Sequence, residues 1–306
     1  MVEEPVGGGI GNDRCAILRS PHLCPMHETR PSHTAEMVAM RRAAHQVFDG
    51  EPKVINDPLA VRIIGTEAEA RMRAMRQQSA FAKVGRAFMV ARLRFAEDAL
   101  TRAVEQGVTQ YVILGAGLDT FAYRNPFHQL QVFEVDHPAT QAWKRERLAA
   151  AGIAIPENVT HVPVDFEREA IAHTLSEAGL DEHRPVFFAW LGVTMYLTDE
   201  AIATTLGYIG SRPSGSMLVL DYSLPSESLS WMERFFRGIM ARRVKRAGEP
   251  FINFFSPERM QSTLEAAGLH RVEDLGVDEL NARYFKGRTD GLDIKGRSLH
   301  VASARV

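Results

Sequence analysis

The stretch Tyr-Val-Ile-Leu-Gly-Ala-Gly-Leu-Asp-Thr, residues 111–120, determines the predicted fold. An apolar run that leads into Gly115-Ala116-Gly117 is typical of a buried parallel strand entering a tight turn. At the carboxyl end of such a strand, glycines let the backbone approach a bound ligand closely. The stretch therefore predicts a ligand-binding turn, but ordinary strand-to-helix turns use glycine as well.

Strand-like and helix-like segments alternate through the rest of the chain. This alternation predicts βαβ crossovers and therefore an α/β fold, with a mostly parallel, Rossmann-like sheet covered by helices on both faces. The later predicted strands are 131–135, 159–164, 186–190, 217–221, 271–275 and a final run at 298–304. The predicted helices between them are 140–151, 168–178, 199–209 and 257–267.

Helical periodicity precedes the first strand. A first helix is predicted from Thr34, where apolar residues recur at three- and four-residue steps. Asp57-Pro58 predicts the start of a short second helix, because aspartate caps helices and proline fits their first position. A longer helix is predicted over 67–105, with a break near Gly85.

Composition excludes several classes of protein. The chain has 306 residues and a net charge of −2, which argues against a broad nucleic-acid or anionic-membrane surface but leaves room for a local basic patch. No apolar run approaches the roughly 20 residues that span a bilayer. Two cysteines cannot build a disulfide framework. We therefore expect a cytoplasmic protein with a small-molecule partner, and neither a nucleic acid nor a membrane as partner.

The chain divides into a leader and one large domain. Residues 1–32 lack apolar periodicity and predict a flexible leader, dispensable at least up to Met26. Its cysteines, Cys15 and Cys24, match no common zinc spacing, so no metal site is predicted. Within the single domain we expect N-terminal helices at 33–108, a Rossmann-like core at 109–223 and 251–306, and an insertion at 224–250.

The insertion at 224–250 carries an apolar stripe and a basic cluster. The stripe comprises Trp231, Phe235, Phe236, Ile239 and Met240, and the cluster comprises Arg242, Arg243, Lys245 and Arg246. One interpretation is an amphipathic helix that packs on the domain and leaves its basic end in solvent. The other is a cap over the substrate, since this side of the sheet borders the usual ligand crevice.

Asp119 and Thr120 argue against a dinucleotide at the glycine turn. The nicotinamide fingerprint requires a third glycine where Thr120 stands, and Asp119 would place a carboxylate beside a pyrophosphate. An acid at this position suits a cationic or hydroxylated ligand. S-adenosylmethionine has a sulfonium, an ammonium and a ribose but no phosphate, so it fits better than a nicotinamide cofactor, which would make the chain a dehydrogenase.

Acidic residues end the next two predicted strands. Asp136 lies about 20 residues beyond the glycines, the spacing at which a carboxylate accepts hydrogen bonds from ribose hydroxyls. Glu134 alternates to the same side, so it either reaches the site or points into helix packing. Asp165 and Phe166 can hold the amino group and the ring face of adenine. The alternative for Asp136, Glu134 and Asp165 is a helix N-cap.

Four motifs together resemble one family. They are Arg92-x-Arg94-Phe95 with Asp98, Val-Ile-Leu-Gly-Ala-Gly-Leu-Asp-Thr-Phe-Ala-Tyr-Arg at 112–124, Phe-Glu-Val-Asp-His-Pro at 133–138, and Trp-Leu-Gly-Val-Thr-Met-Tyr-Leu at 190–197. The combination is similar to the leucine carboxyl methyltransferase family, and within it to a bacterial branch of S-adenosylmethionine-dependent O-methyltransferases. The resemblance extends from about Thr34 to the C-terminus.

The resemblance implies a class I S-adenosylmethionine-dependent methyltransferase fold: a seven-stranded sheet whose last strand is antiparallel, an N-terminal helical lid and a helical cap. It implies that Arg92 binds the methionine carboxylate, that Gly115 lines the cofactor backbone and that Asp136 holds the ribose. Many relatives carry glutamate, near the cofactor's amino group, where this chain has Leu191. The predicted cofactor site comprises Arg92, Gly115, Ala116, Gly117, Asp119, Glu134, Asp136, Asp165, Phe166 and Leu191.

These features predict an S-adenosylmethionine-dependent O-methyltransferase that acts on a carboxylate or hydroxyl of a small molecule. A carboxylate is already ionised near neutral pH and needs no general base, whereas an alcohol or phenol does. Tyr196, His137 and Asp221 are the candidate bases, and the sequence singles out none of them. Two alternatives are a protein C-terminal carboxyl methyltransferase and, since Leu191 replaces an acid, a non-catalytic S-adenosylmethionine-binding module.

Overall fold

The computed structural model describes residues 32–75, 79–166, 171–246 and 250–306. The predictions for Cys15, Cys24 and the residues before Met26 lie outside the described residues. Within the described ranges, helices and strands alternate around one sheet, as the sequence pattern predicts. No helix in these ranges is both long enough and apolar enough to span a bilayer.

The sheet has seven strands in the order β3-β2-β1-β4-β5-β7-β6. β7 runs antiparallel to β5 and β6, and the pairings among β1 to β5 are parallel. The predicted fold, including the antiparallel last strand, is thus confirmed. The strands are β1 Gln110–Leu114, β2 Gln131–Asp136, β3 Val159–Pro163, β4 Val186–Trp190, β5 Met217–Ser223, β6 His270–Leu275 and β7 Leu299–Arg305.

The helices lie on both faces of the sheet. They are α1 His33–Phe48, α2 Ala60–Ala74, α3 Ala80–Glu105, α4 Pro138–Ala150, α5 Ile171–Glu177, α6 Asp199–Gly210, α7 Trp231–Arg246, α8 Pro257–Ala266 and α9 Val277–Tyr284. The sequence predicted α1, α4, α5, α6 and α8, and α7 occupies the predicted insertion. The helix predicted over 67–105 instead covers the second half of α2 and all of α3, and α9 was not predicted. Since residues 167–170 are not described, the predicted start of α5 at 168 lies outside the described residues.

The predicted break near Gly85 is wrong, because Gly85 lies inside the continuous helix α3. A Cβ at Gly85 would lie 3.2 Å from Cζ of Arg41, on the packed helix α1. Glycine here serves close packing between two helices rather than a break. The described part of α2 instead ends at Ala74, and α3 begins at Ala80.

The second helix also starts later than predicted. Asp57 and Pro58 precede α2 in a turn in which Asp57 Oδ1 accepts the N–H of Leu59 at 3.1 Å. The other carboxylate oxygen of Asp57 binds Arg42 Nε on α1 at 2.7 Å and the hydroxyl of Thr120 at 2.6 Å. All three side chains are buried, so this cluster ties α1 and the start of α2 to the turn after β1.

β1 lies between two apolar layers. Tyr111 and Ile113 pack into the layer that includes α3 residues, whereas Val112 and Leu114 pack into the layer formed with α5, α6 and α8. This alternation follows from the period of two along a strand. β1 is therefore an interior strand packed on both faces, and the loop at its carboxyl end begins from a buried, well-packed position.

Candidate active site

A cavity of about 230 Å³ opens where β1, β2 and β4 end. Because parallel strands present their carboxyl ends at one edge, residues far apart in the sequence meet there. Helix α1 contributes residues from Thr34 to Arg42, α3 contributes residues from Arg92 to Glu97, and Pro250 and Ile252 also line the wall. Nine of the ten predicted cofactor residues line this cavity: Arg92, Gly115, Ala116, Gly117, Asp119, Asp136, Asp165, Phe166 and Leu191.

The glycine turn after β1 is fixed by hydrogen bonds to the end of β2. The N–H groups of Gly115 and Ala116 both donate to the carbonyl of Val135, at 2.8 and 3.0 Å. The N–H of Gly117 donates to Asp136 Oδ2 at 2.6 Å. Gly115 and Gly117 have φ angles of +72° and +45°, which favour glycine. The turn therefore has a defined shape before any ligand is present.

Replacing Gly115 by alanine is expected to destabilise the protein more than the same change at Gly107. Both glycines have positive φ, which costs an alanine about 1–2 kcal/mol. A Cβ at Gly115 would also lie 2.3 Å from Val193 Cγ2, whereas nothing lies within 4 Å of a Cβ at Gly107. Urea unfolding of both variants measures the difference, and equal losses of unfolding free energy would argue against the tight approach of the turn to Val193.

Asp136 is half-buried at the end of β2 and faces the cavity. Its Oδ2 accepts from Gly117 and its Oδ1 accepts the N–H of His137 at 2.7 Å. Burial raises the pKa of Asp136, although these two N–H donors favour the charged form. The helix cap is a different residue, His137, so the capping alternative for Asp136 does not describe α4.

Arg92 on α3 pairs with a buried acid on β5, Asp221. Its Nη1 donates to Asp221 Oδ2 at 2.6 Å, and both side chains are buried. The other oxygen of Asp221 accepts the N–H of Gly192. A Cβ at Gly192 would lie 2.8 Å from Nη2 of Arg92, so glycine makes room for the guanidinium. Among the described residues, Arg92 Nε is buried and has no hydrogen-bond partner.

Asp119, Leu191 and the pair Asp165-Phe166 complete the predicted set in the cavity wall. Asp119 Oδ1 accepts the N–H of Phe121 at 2.7 Å, which fixes the chain after the glycine turn. Asp165 and Phe166 follow β3, separated from it only by Val164, and both are half-buried. Leu191 directly follows β4 and places an aliphatic side chain in the wall.

Glu134 does not line the cavity. Its carboxylate is fully buried and pairs with Nζ of Lys144 on α4 at 2.8 Å. It also accepts the hydroxyl of Tyr123 at 2.8 Å and lies 3.3 Å from Nε2 of His161. Of the two alternatives for Glu134, this placement corresponds to helix packing, because the ion pair joins β2 to α4.

The three candidate bases differ in what they contact. His137 lines the cavity and caps α4, with its Nδ1 accepting the N–H of Ala139 at 3.3 Å. Tyr196 also lines the cavity, and its ring centroid lies 5.4 Å from that of Phe251. Asp221 lies behind the wall, where it binds Arg92 and the N–H of Gly192.

Two charged lining residues, Glu97 and Arg42, were not predicted from the sequence. Glu97 lies on α3 and pairs with Arg124, and burial raises the pKa of its carboxyl against the effect of that arginine. Glu97 lies four residues after Leu93, the neighbour of Arg92, and this helical spacing could have indicated that Glu97 and Leu93 share one face of the helix. Arg42 donates to the carbonyl of Leu118 and pairs with Asp57, contacts across the chain that no local pattern reveals.

The sheet order, the reversed last strand and the cavity at the strand ends define the class I S-adenosylmethionine-dependent methyltransferase fold. Solved structures share this fold. A DUF574 family protein from Streptomyces avermitilis superposes with a TM-score of 0.54 at 19% identity, covering 91% of this chain and 98% of the other. A protein from Thermobifida fusca titled a putative methyltransferase gives a TM-score of 0.53 at 15% identity, covering 91% and 95%.

The chain belongs to the leucine carboxyl methyltransferase family, whose sequence model matches residues 35–210. A Bacillus subtilis relative named "Putative S-adenosyl-L-methionine-dependent methyltransferase YktD" is 37% identical over 208 residues, which cover 66% of this chain and 67% of the relative. A Mycolicibacterium gilvum relative named "Putative S-adenosyl-L-methionine-dependent methyltransferase" is 38% identical over 204 residues, which cover 62% of this chain and 65% of the relative. The family resemblance found in the motifs is confirmed over residues 35–210, and so is the predicted cofactor, S-adenosylmethionine.

Proposed function

We propose that this protein transfers the methyl group of S-adenosylmethionine to an oxygen atom of a small molecule, with a carboxylate as the favoured acceptor. The single observation that supports this most strongly is the cavity itself. It brings Arg92, the glycine turn, Asp136 and the pair Asp165-Phe166 into one wall, although they are spread over 75 residues of the chain. These are the groups that a methionine, a ribose and an adenine require.

The residues present fit this cofactor by two observations. The buried Nε of Arg92 has no hydrogen-bond partner among the described residues, so a ligand carboxylate can satisfy a donor that is otherwise left unpaired. Gly115, Ala116 and Gly117 line the cavity, so the turn carries no side chain larger than a methyl group there. A ligand can therefore lie close to the main chain at the end of β1.

The charges around the cavity favour a cationic ligand. Asp119, Asp136 and Asp165 all line the wall. Two arginines line the wall as well, and each has an acidic partner: Arg42 pairs with Asp57, and Arg92 pairs with Asp221. S-adenosylmethionine carries two positive charges and one carboxylate, so its net charge is complementary to this wall.

Bound S-adenosylmethionine supplies an electrophilic methyl group on a sulfonium. The protein's task is to bind and orient, because methyl transfer is an in-line displacement that depends on the alignment of the acceptor oxygen. In our proposal Arg92 holds the methionine carboxylate, Asp136 accepts the ribose hydroxyls, and Asp165 and Phe166 hold adenine. Asp221 acts through Arg92, whose guanidinium it orients.

The carboxylate is favoured because two of the candidate bases are committed elsewhere. His137 Nδ1 accepts the N–H of Ala139 at the start of α4, so this nitrogen is engaged in the helix cap. Asp221 is fully buried between Arg92 and Gly192. An ionised carboxylate needs no base, so this arrangement suits it better than an alcohol.

A small acceptor is favoured over a protein C-terminus because the cavity has walls on several sides. α1 lines one side, α3 another, and Pro250 and Ile252 a third. Most lining side chains besides the acids and arginines are apolar, among them Val38, Leu93 and Ile113. A pocket with a few polar groups in an apolar wall is typical of small-molecule sites.

The proposal is tested by incubating the protein with methyl-labelled S-adenosylmethionine and a metabolite extract, and then identifying the labelled product. We expect label in a small molecule and its release as methanol by mild base, which identifies a methyl ester. Base-stable label on oxygen would identify an ether and a hydroxyl acceptor. Label on nitrogen, carbon or protein would contradict the proposal. Cofactor binding without any labelled product would support a non-catalytic module instead.

Lowering the pH is expected to weaken S-adenosylmethionine binding through protonation of Asp136. Burial raises the pKa of this carboxyl, and only its ionised form accepts both ribose hydroxyls. The affinity should therefore be full above the raised pKa and fall by about tenfold per pH unit below it. Calorimetric titrations at several pH values measure this, and Asp136→Asn should lack the dependence. An identical pH profile in that variant would assign it to another group.

A further inference from the structure

Helix α7 exposes large apolar side chains to solvent. Trp231 is 72% exposed and Phe235 is 62% exposed, and Met232 and Ile239 are exposed as well. Trp231, Phe235 and Ile239 follow one another at four-residue spacing, which places them along one face of the helix. Soluble monomeric proteins rarely expose a contiguous apolar patch of this kind unless something binds it.

The same helix carries a strong local positive charge. Between Trp231 and Arg246 there are six arginine or lysine residues and one acid, Glu233. This segment is therefore positively charged in a chain whose net charge is −2. Arg234 and Arg242 are exposed and lie next to the apolar face, and Arg243, Lys245 and Arg246 follow in the sequence.

Arg237 anchors α7 on the rest of the protein, because both of its Nη atoms are buried. Its guanidinium lies 4.8 Å from the ring centroid of Phe254, and neither Nη atom has a hydrogen-bond partner among the described residues. The contact also joins α7 to the segment that contains Ile252, which is exposed and lines the cavity. The exposed helix is thus connected to the wall of the active-site cavity.

We propose that α7 docks on an anionic phospholipid surface, with its apolar face in the headgroup boundary and its exposed arginines, Arg234 and Arg242, on the lipid phosphates. An apolar face with tryptophan and phenylalanine, flanked by arginine and lysine, is the pattern of helices that lie in the plane of a membrane interface. The same positive charge repels a second copy of α7, so it disfavours a symmetric dimer through this helix. The near-zero net charge of the whole chain does not oppose this, because attraction acts locally within about 10 Å at 0.1 M salt.

The experiment uses the full chain and vesicles of phosphatidylcholine alone or with one quarter phosphatidylglycerol. We expect the protein to co-sediment with the anionic vesicles and the emission of Trp231 to shift to shorter wavelength. Trp190 is fully buried and reports no such change, and Trp231→Phe should abolish the shift. Raising the salt concentration should release the protein.

Two variants test the two parts of the surface. Arg234→Gln with Arg242→Gln should weaken vesicle binding by roughly thirty-fold, because each basic residue near an anionic surface contributes about fivefold. Phe235→Ser should weaken it by about tenfold or more. Arg102→Gln and Ile155→Ser change an arginine and an apolar side chain that are also exposed but lie elsewhere, and should leave binding unchanged.

Three outcomes would overturn the proposal. They are the absence of co-sedimentation with anionic vesicles, equal binding by the α7 variants and the wild type, and a concentration-dependent dimer that shifts Trp231 emission without lipid. The last would assign the apolar face to a second copy of the chain. Because vesicle binding is measured without methyl transfer, its failure leaves the proposed reaction untouched, and failure of the reaction leaves this proposal untouched.

Discussion

Arg92→Leu is expected to weaken S-adenosylmethionine binding by at least about a hundredfold, because a charged hydrogen-bonded pair with the methionine carboxylate is lost. It should also lower the free energy of unfolding by about 3–5 kcal/mol, since Asp221 is left as a buried carboxylate without its partner. Calorimetric titration and urea unfolding measure the two effects separately.

A second variant separates binding from folding. Arg92→Leu combined with Asp221→Asn removes the unpaired buried charge, so most of the lost stability should return while the cofactor affinity stays low. Arg92→Lys keeps the charge but loses the planar fork, and we expect an intermediate affinity. A folded double variant that binds S-adenosylmethionine as tightly as the wild type would contradict the role of Arg92.

Asp136→Asn is expected to weaken S-adenosylmethionine binding by about a hundredfold. The carboxylate can accept hydrogen bonds from both ribose hydroxyls, whereas an amide offers one acceptor oxygen and turns two donors toward the hydroxyls or the backbone. The N–H groups of Gly117 and His137 bind this side chain as well, so the glycine turn loses part of its support. Titration calorimetry with S-adenosylmethionine gives the change in affinity.

Glu134→Gln is the matched control, because Glu134 precedes Asp136 by two residues on the same strand but contacts Lys144 instead of the cavity. This variant should lose stability through the unpaired lysine, and its folded fraction should bind S-adenosylmethionine with wild-type affinity. If Glu134→Gln lost affinity as strongly as Asp136→Asn, the carboxylate that matters for ribose would be misassigned.

The strands and the glycine turn could be predicted because their signals are local. The buried run that ends at Leu114 and the glycines that follow it suffice to place β1 and its ligand-binding turn. The predicted strands end within two residues of the observed ones, as at 131–135 for β2 Gln131–Asp136. α9 was missed because only Val277 and Leu280 of its eight residues are buried.

Features that depend on distant contacts could not be predicted from the sequence. A glycine in a long helical pattern predicts a break, but Gly85 lies inside α3, where the absence of a side chain leaves room for Arg41 of α1. Glu134 and Asp136 lie two residues apart on β2, so their side chains are expected on the same side of the sheet. They differ because Lys144 on α4 pairs with Glu134. The sequence makes Asp221 a candidate base, whereas in the structure its carboxylate accepts a hydrogen bond from Arg92, 129 residues away in the sequence.

In our proposal this cavity is an S-adenosylmethionine site built by Arg92 and Asp136. The most direct measurement is a calorimetric titration of the wild-type protein with S-adenosylmethionine, repeated with a nicotinamide dinucleotide. We expect one S-adenosylmethionine site per chain and no dinucleotide binding. The affinity for S-adenosylmethionine should fall strongly in Asp136→Asn and in the folded Arg92 double variant. Absence of S-adenosylmethionine binding, or binding that both variants retain unchanged, would contradict it.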